Sequence, residues 1–69
     1  MTVQSDLQKA VAGAKSAQGT YEMFATSTLD QSAKQMFQEL AGDMQRHIDM
    51  LNSRLGYVTQ NNDLNQKTQ

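Results

Sequence analysis

Hydrophobic residues in the first half of the chain recur at alternating steps of four and three residues. Such spacing places all of them on the same side of an α-helix, as in the seam of a coiled coil. Val11 and Ala25 widen this stripe, and either Thr2 or a capping box over Ser5–Gln8 would begin the helix. The pattern predicts a helix over residues 3–26. Its apolar stripe consists of Val3, Leu7, Ala10, Ala14, Ala17, Tyr21 and Phe24.

The second half of the chain repeats the pattern and predicts a second helix over residues 29–57. Thr28 followed by Gln31 has the spacing of a capping box, and Asp30 would place a favourable negative charge in the first turn. Gly56 is a candidate for the glycine that often ends a helix. The apolar stripe of this helix consists of Ala33, Phe37, Leu40, Met44, Ile48, Leu51, Leu55 and Val58.

Together the two predicted helices form one all-α domain over residues 1–58. The chain has no proline and four glycines, so little interrupts long helices, and β-branched residues are too sparse for strands. Because the connection is short, the helices are expected to lie antiparallel as a two-helix hairpin. Residues 59–69, with the sequence TQNNDLNQKTQ, are polar and are expected to form a disordered tail.

A hairpin of this size is expected to need a second copy. A chain of 69 residues buries only about 60% of the surface that its unfolded form exposes, and without cysteine it has no disulfide. Two hairpins related by a two-fold axis would form an antiparallel four-helix bundle. A homodimer is therefore favoured over a higher oligomer or a heteromer. The predicted interface consists of Val11, Met36, Phe37, Met44, Met50 and Tyr57. Small residues that would admit a close neighbour are Ala10, Gly13, Ala14, Ala17 and Gly42.

Charges of both signs are scattered along the chain, with a formal net charge of −1. A nucleic-acid-binding protein needs clustered Lys and Arg to neutralise phosphates, so this balance argues against such a partner. The N-terminal residues MTVQSDLQ lack the basic and apolar regions of a signal peptide. The longest uninterrupted apolar stretch, Ala10 to Ala14, is far short of the roughly 20 residues of a membrane helix. We therefore expect a cytoplasmic protein.

His47 is the best single candidate for chemistry, because Asp43 lies one helical turn before it. However, the chain has no Cys, and Ser and Thr near the second helix lie only at its ends. A Ser-His-Asp or Cys-His arrangement is therefore not expected within one chain. The favoured interpretation is a histidine at the edge of the bundle stripe in a protein that is not an enzyme and uses no cofactor or small-molecule substrate.

The segment FQELAGDMQRHIDML resembles a ferritin-like helix, in which a Glu-x-x-His pair supplies two metal ligands. Here Met44 occupies the carboxylate position, and a thioether is a poor ligand for iron or manganese. Glu22 on the first helix and Glu39 or Asp43 on the second would have to replace it beside His47. Surface acids that pair with neighbouring Arg46 and Lys15 are the favoured interpretation, and a degenerate metal site is the alternative.

The order and spacing of residues over nearly the whole chain resemble the family called domain of unknown function 1657. The matching residues are Met1, Thr2, Val3, Lys15, Ser16, Ala17, Gln18, Glu22, Phe24, Ala25, Thr28, Ala33, Lys34, Phe37, Gln45, Asp49, Leu51 and Arg54. The resemblance implies a protein of endospore-forming bacteria that is expressed in the forespore, encoded beside spore membrane proteins. It carries no catalytic residues over to this chain.

The residue pattern and the resemblance together predict a non-enzymatic helical protein of sporulation or the dormant spore. It would dimerise, act as an accessory or adaptor in the forespore or spore core, and contact a spore membrane protein complex. The first alternative is the metal-binding protein built on His47 and nearby carboxylates. The second is a spore nucleic-acid coat protein, which the charge balance opposes.

Overall fold

The chain folds into two antiparallel α-helices, as the sequence predicts. The computed structural model describes residues 2–60, with α1 over Val3–Ser27 and α2 over Gln31–Gln60. The hydrogen bond between the side chains of Gln18 and Gln45 measures 2.8 Å and joins the middle of the two helices. The all-α hairpin is therefore confirmed.

Helix α1 begins with Thr2 as its N-cap. Thr2 has extended backbone angles, and its hydroxyl oxygen accepts a hydrogen bond from the backbone N–H of Ser5 at 2.9 Å. This bond satisfies one of the free N–H groups of the first turn. Of the two starts that the sequence allows, the structure has the one at Thr2.

The turn between the helices is closed by Thr28 and Asp30, which both bind backbone groups. The N–H of Thr28 donates to the carbonyl of Phe24 at 3.0 Å, and the Thr28 hydroxyl accepts from the N–H of Asp30 at 3.3 Å. The Asp30 carboxylate accepts from the N–H of Ala33 at 2.9 Å. Asp30 is thus the residue that caps α2, whereas the sequence predicted a Thr28–Gln31 capping box with the helix beginning at residue 29.

Replacing Asp30 with alanine is expected to lower the free energy of unfolding by about 1 kcal/mol, because an N–H of the first turn loses its acceptor. Asp30→Asn keeps an acceptor oxygen and is the matched control, so it should lose less. Chemical unfolding of the three proteins at one concentration, followed by far-UV circular dichroism, measures the difference. Equal losses in both variants would show that the cap contributes charge rather than a hydrogen bond.

Helix α2 continues past the residue at which the sequence predicts its end. Gly56 lies inside the helix without the positive φ of a terminating glycine. Val58, two residues later, is buried with 7% of its surface exposed, and its contact with the core offsets the cost of about 1 kcal/mol for a helical glycine. Thr59 and Gln60, expected in the tail, are therefore helical. Residues 61–69 of that predicted tail lie outside the described residues.

The two helices meet along seams that repeat every seven residues, as burial along each helix shows. Val11 and Ala25 on α1 and Ala41, Ile48 and Val58 on α2 are the buried hydrophobic residues among those described. The α1 seam consists of Gln4, Leu7, Val11, Ala14, Gln18, Tyr21, Ala25 and Thr28. The α2 seam consists of Lys34, Phe37, Ala41, Met44, Ile48, Leu51, Leu55 and Val58.

The α1 seam is rotated relative to the predicted stripe. Val3 and Phe24, predicted to face α2, are 51% and 42% exposed, while Val11 and Ala25 are buried. Both sets of residues share Leu7, Ala14 and Tyr21, and both have the alternating spacing of three and four, so spacing alone does not choose between them. In the structure the seam takes the set that contains Val11 and Ala25, and it leaves the larger Phe24 outside the seam.

On α2 the predicted stripe is nearly right, except that Ala41 rather than Leu40 lies in the centre of the seam. Lys34 also reaches into the seam, where its ammonium group donates to the carbonyl of Ala25 at 2.6 Å. The carbonyl belongs to the last turn of α1, which favours a positive charge. The lysine therefore ties the end of α1 to the beginning of α2.

Candidate interaction surface

The hairpin has two open faces that differ in chemistry. The polar face lies on the side of the seam where Gln18 and Gln45 are bonded, and Gln45 also donates to the carboxylate of Asp49 at 3.0 Å. A shallow groove of about 500 Å³ runs along it. The groove is lined by Gln18, Glu22, Ala25, Thr26, Gln38, Ala41, Gly42 and Gln45.

The opposite side of the seam is the apolar face, formed by one row of residues from each helix. The row on α1 consists of Val3, Asp6, Ala10, Gly13, Ala17, Thr20, Phe24 and Ser27. The row on α2 consists of Ala33, Met36, Leu40, Asp43, His47, Met50, Arg54 and Tyr57. The ring of Phe24 reaches from this face to the ring of Phe37 in the seam, at 5.4 Å between centroids and a tilt of 46°.

Large apolar side chains of the α2 row stand in water in the single hairpin. Met50 is 73% exposed, Met36 49% and Tyr57 50%. The guanidinium carbon of Arg54 lies 4.9 Å from the centroid of the Tyr57 ring, a cation–π contact that holds both side chains on this face. The α2 row therefore exposes large apolar side chains, with the polar residues Asp43, His47 and Arg54 between them.

The structure divides the predicted interface residues between this face and the interior. Met36, Met50 and Tyr57 lie on the apolar face, exposed as expected. Phe37 and Met44 are half-buried in the α2 seam. Val11, with 9% of its surface exposed, belongs to the hairpin core and is not an exposed flank. The burial of Val11 follows from the rotation of the α1 seam toward it, and its place in an interface between copies stays a prediction.

The small residues occupy different surroundings on the two faces. Ala10, Gly13 and Ala17 lie in the α1 row of the apolar face, whereas Gly42 lies on the polar face. A Cβ atom added to Gly42 would have no neighbour within 4 Å. Within the hairpin Gly42 therefore does not admit a closely packed helix. The sequence marks Ala10, Gly13 and Ala17 as positions of close approach, but it also assigns Ala10 and Ala17 to the stripe that faces α2.

The candidate metal ligands are not brought together. Glu22 lies on the polar face, while Asp43 and His47 belong to the apolar face. The Asp43 carboxylate accepts a hydrogen bond from the guanidinium group of Arg46 and forms an ion pair with it. Among residues 2–60, no group of three or more His, Cys, Asp or Glu side chains could hold a metal ion. The surface pairing expected for Asp43 is thus observed.

A comparison with known families places the chain in one of them. The sequence model of the family described as "Protein of unknown function (DUF1657)" matches residues 7–55. The chain belongs to this family. No curated protein and no solved structure matches the chain.

The DUF1657 match covers the turn and most of both helices. It runs from Leu7 in the α1 seam to Leu55 in the α2 seam, and so it includes the centres of both rows of the apolar face. Within the described part of this DUF1657 chain, neither helix combines the length and the apolar character needed to cross a membrane.

Proposed function

We propose that this DUF1657 protein is a non-enzymatic helical module that self-associates and serves as an accessory or adaptor in sporulation or in the dormant spore. The observation that carries the proposal is the apolar face, on which Met36, Met50 and Tyr57 are each about half or more exposed. Large apolar side chains that recur along one exposed row of a helix are typical of a surface that a partner covers.

The small core of the hairpin supports self-association. Its buried hydrophobic residues are two valines, two alanines and one isoleucine, and the most buried of them, Ile48, keeps 4% of its surface exposed. Among the described residues, no side chain falls below 2% exposure. A core of this size rarely supplies more than about 3–5 kcal/mol, so covering the apolar face of a second hairpin would add stability that one copy lacks.

The cellular part of the proposal rests on the resemblance of the sequence to spore proteins. We place the protein in the forespore or spore core, where it would contact a spore membrane protein complex. If the apolar faces pair, the polar faces with Gln18, Gln38 and Gln45 remain outside. Exposed amides of this kind form hydrogen bonds with other proteins without requiring a particular charge.

Sedimentation velocity over a concentration series, together with far-UV circular dichroism, tests self-association. We expect a dimer whose helicity and thermal midpoint fall on dilution, because dissociation uncovers the apolar face. A monomer that stays fully helical at micromolar concentration would overturn this part of the proposal.

Co-purification from sporulating cells tests the cellular role. An affinity-tagged copy expressed from its own promoter should appear during sporulation and bring down a spore membrane protein. A copy of the protein in which Gln18 and Gln38 are both replaced by lysine is the matched variant for the polar face. A protein that is present only in vegetative growth and purifies alone would contradict the proposed role.

A further inference from the structure

We infer that the apolar face is covered by a second copy of this chain, in an arrangement that places α1 of each protomer on α2 of its partner with both hairpin turns at the same end. The inference rests on the proposed self-association and specifies its geometry. Three features support it. The side chains of the two rows differ in size, their heights along the helix axis match, and opposite charges lie at the end of the hairpin away from the turn.

Two hairpins that meet through the same face can be related by a two-fold axis in two orientations. With the two-fold axis parallel to the helices, α1 lies on α2 of the partner and the turns coincide. With the axis perpendicular to the helices, α1 lies on α1 and α2 on α2, and the turns are at opposite ends. Facing helices are antiparallel in both arrangements, so the helix dipoles do not distinguish between them.

Side-chain size favours the first arrangement. The middle of the α1 row contains Ala10, Gly13 and Ala17, and a Cβ at Gly13 would have no neighbour within 4 Å. The α2 row carries the long side chain of Met50 opposite this stretch, while Met36 lies near the turn, level with Phe24 and Ser27. Packing small residues against large ones keeps the helices evenly spaced, whereas the second arrangement would leave a gap between the α1 rows and crowd the α2 rows.

The heights of residues along the helix axis determine which residues of the α1 row face which residues of the partner's α2 row. Gln18 is bonded to Gln45, and the ring of Phe24 contacts that of Phe37, so these pairs lie at the same height. A two-fold axis parallel to the helices preserves these heights. Counting along the helices, Met50 of the partner subunit then falls between Ala10 and Gly13, where a large side chain enters the space between small ones.

The same register brings opposite charges together near the open end of the hairpin. Arg54 of the partner subunit falls between Asp6 and Ala10, within reach of the Asp6 carboxylate. The symmetry produces this ion pair twice. In the perpendicular arrangement Asp6 faces another α1, whose row contains no Lys or Arg, so the attraction is lost. Charge complementarity therefore selects the same geometry as side-chain size.

The area of the apolar face is sufficient for a dimer. Helices of 25 and 30 residues are about 38 and 45 Å long at 1.5 Å per residue. Two helices side by side, each about 10 Å wide, make a face of roughly 800 Å². A stable interface of standard size buries about 800 Å² on each partner. One copy of this chain therefore offers what a second copy needs.

Cross-linking of single-cysteine variants tests the geometry, since the natural chain has no cysteine. Purified Ala10→Cys and Met50→Cys are mixed, equilibrated and treated with a short bismaleimide. We expect cross-linked dimers in the mixture, up to roughly half of the protein because random pairing makes half of the dimers mixed. Each variant alone should give little product, because identical residues lie diagonally across the bundle.

Ala12→Cys is the matched control, since Ala12 is also an exposed alanine of α1 but lies outside the apolar face. Its mixture with Met50→Cys should give only background product. A stronger signal from this control, or efficient cross-linking of Asp43→Cys with itself but not of the mixture, would overturn the geometry. In those cases sedimentation still shows a dimer and the proposed function stands, whereas a monomer in sedimentation contradicts the proposed function itself.

Charge reversal provides a second measurement. Asp6→Arg and Arg54→Asp should each raise the dimer dissociation constant about tenfold, because each turns two attractive pairs into repulsive ones. The double variant combines Asp6→Arg with Arg54→Asp, so the two charges are exchanged and the pair is again attractive. Its dimer dissociation constant should return close to that of the unaltered protein. Failure of the double variant to recover affinity, with helicity unchanged, would argue against contact between Asp6 and Arg54 of the partner subunit.

Discussion

Replacing Ile48 with alanine is expected to lower the free energy of unfolding by about 2–5 kcal/mol, the range for removing a branched aliphatic side chain from a core. Ile48 is the most buried hydrophobic residue of the hairpin, with 4% of its surface exposed. Small domains have little stability to spare, so this variant should be largely unfolded. Urea unfolding followed by far-UV circular dichroism measures the loss.

Leu29→Ala is the matched control, because it also shortens an aliphatic side chain. Leu29 lies in the turn and is 100% exposed, so its removal should change the free energy of unfolding by less than about 0.5 kcal/mol. Both variants are compared at one protein concentration, since unfolding of a dimer depends on concentration. Similar losses at the two positions would show that the α2 seam does not pass through Ile48.

Replacing Met50 with glutamate is expected to raise the dimer dissociation constant at least about 100-fold. Met50 is 73% exposed in the single hairpin, so the change does not disturb the core. In the proposed dimer, two carboxylates would be placed against the α1 rows, and each would lose hydration that an ion pair with Arg54 four residues later only partly replaces. A cost of about 1.4 kcal/mol for each carboxylate corresponds to the expected effect.

Gln38→Glu introduces the same charge on the same helix, but on the polar face. Sedimentation velocity should show this control as a dimer with nearly unchanged affinity, while Met50→Glu sediments as a monomer. Helicity of the Met50 variant should decrease at the concentrations at which the unaltered protein is dimeric. Equal weakening by both substitutions would mean that net charge, rather than the apolar face, governs association.

Much of the hairpin follows from local features of the sequence. The Thr2 cap, the break at Thr28 and Asp30 and the α2 stripe around Ile48 are all visible in it, because caps and apolar periodicity act over a few residues. The pattern predicts the end of α2 at residue 57, just after Gly56, whereas the helix continues to Gln60. There the tertiary burial of Val58 outweighs the weak helix propensity of glycine.

The interaction surface was predictable only in part. Exposed Met36, Met50 and Tyr57 stand out as large apolar residues beside the α2 stripe. The sequence places Val11 beside the α1 stripe rather than in its centre, because α1 contains two overlapping 3–4 patterns that share Leu7, Ala14 and Tyr21. The rotation of α1 depends on how its side chains pack against α2, which the pattern within one helix does not describe. The Arg54 contact with Tyr57 likewise depends on which rotamers the face allows.

The sequence by itself determined that this chain forms two helices with a short break, since propensity, capping and periodicity are local properties of the residues. Only the tertiary structure decided which side of α1 became the core. When α2 packs against it, Val11 and Ala25 are buried, while Val3 and Phe24 turn outward. That choice depends on how two surfaces fill the space between them, and it created the apolar face at the same time.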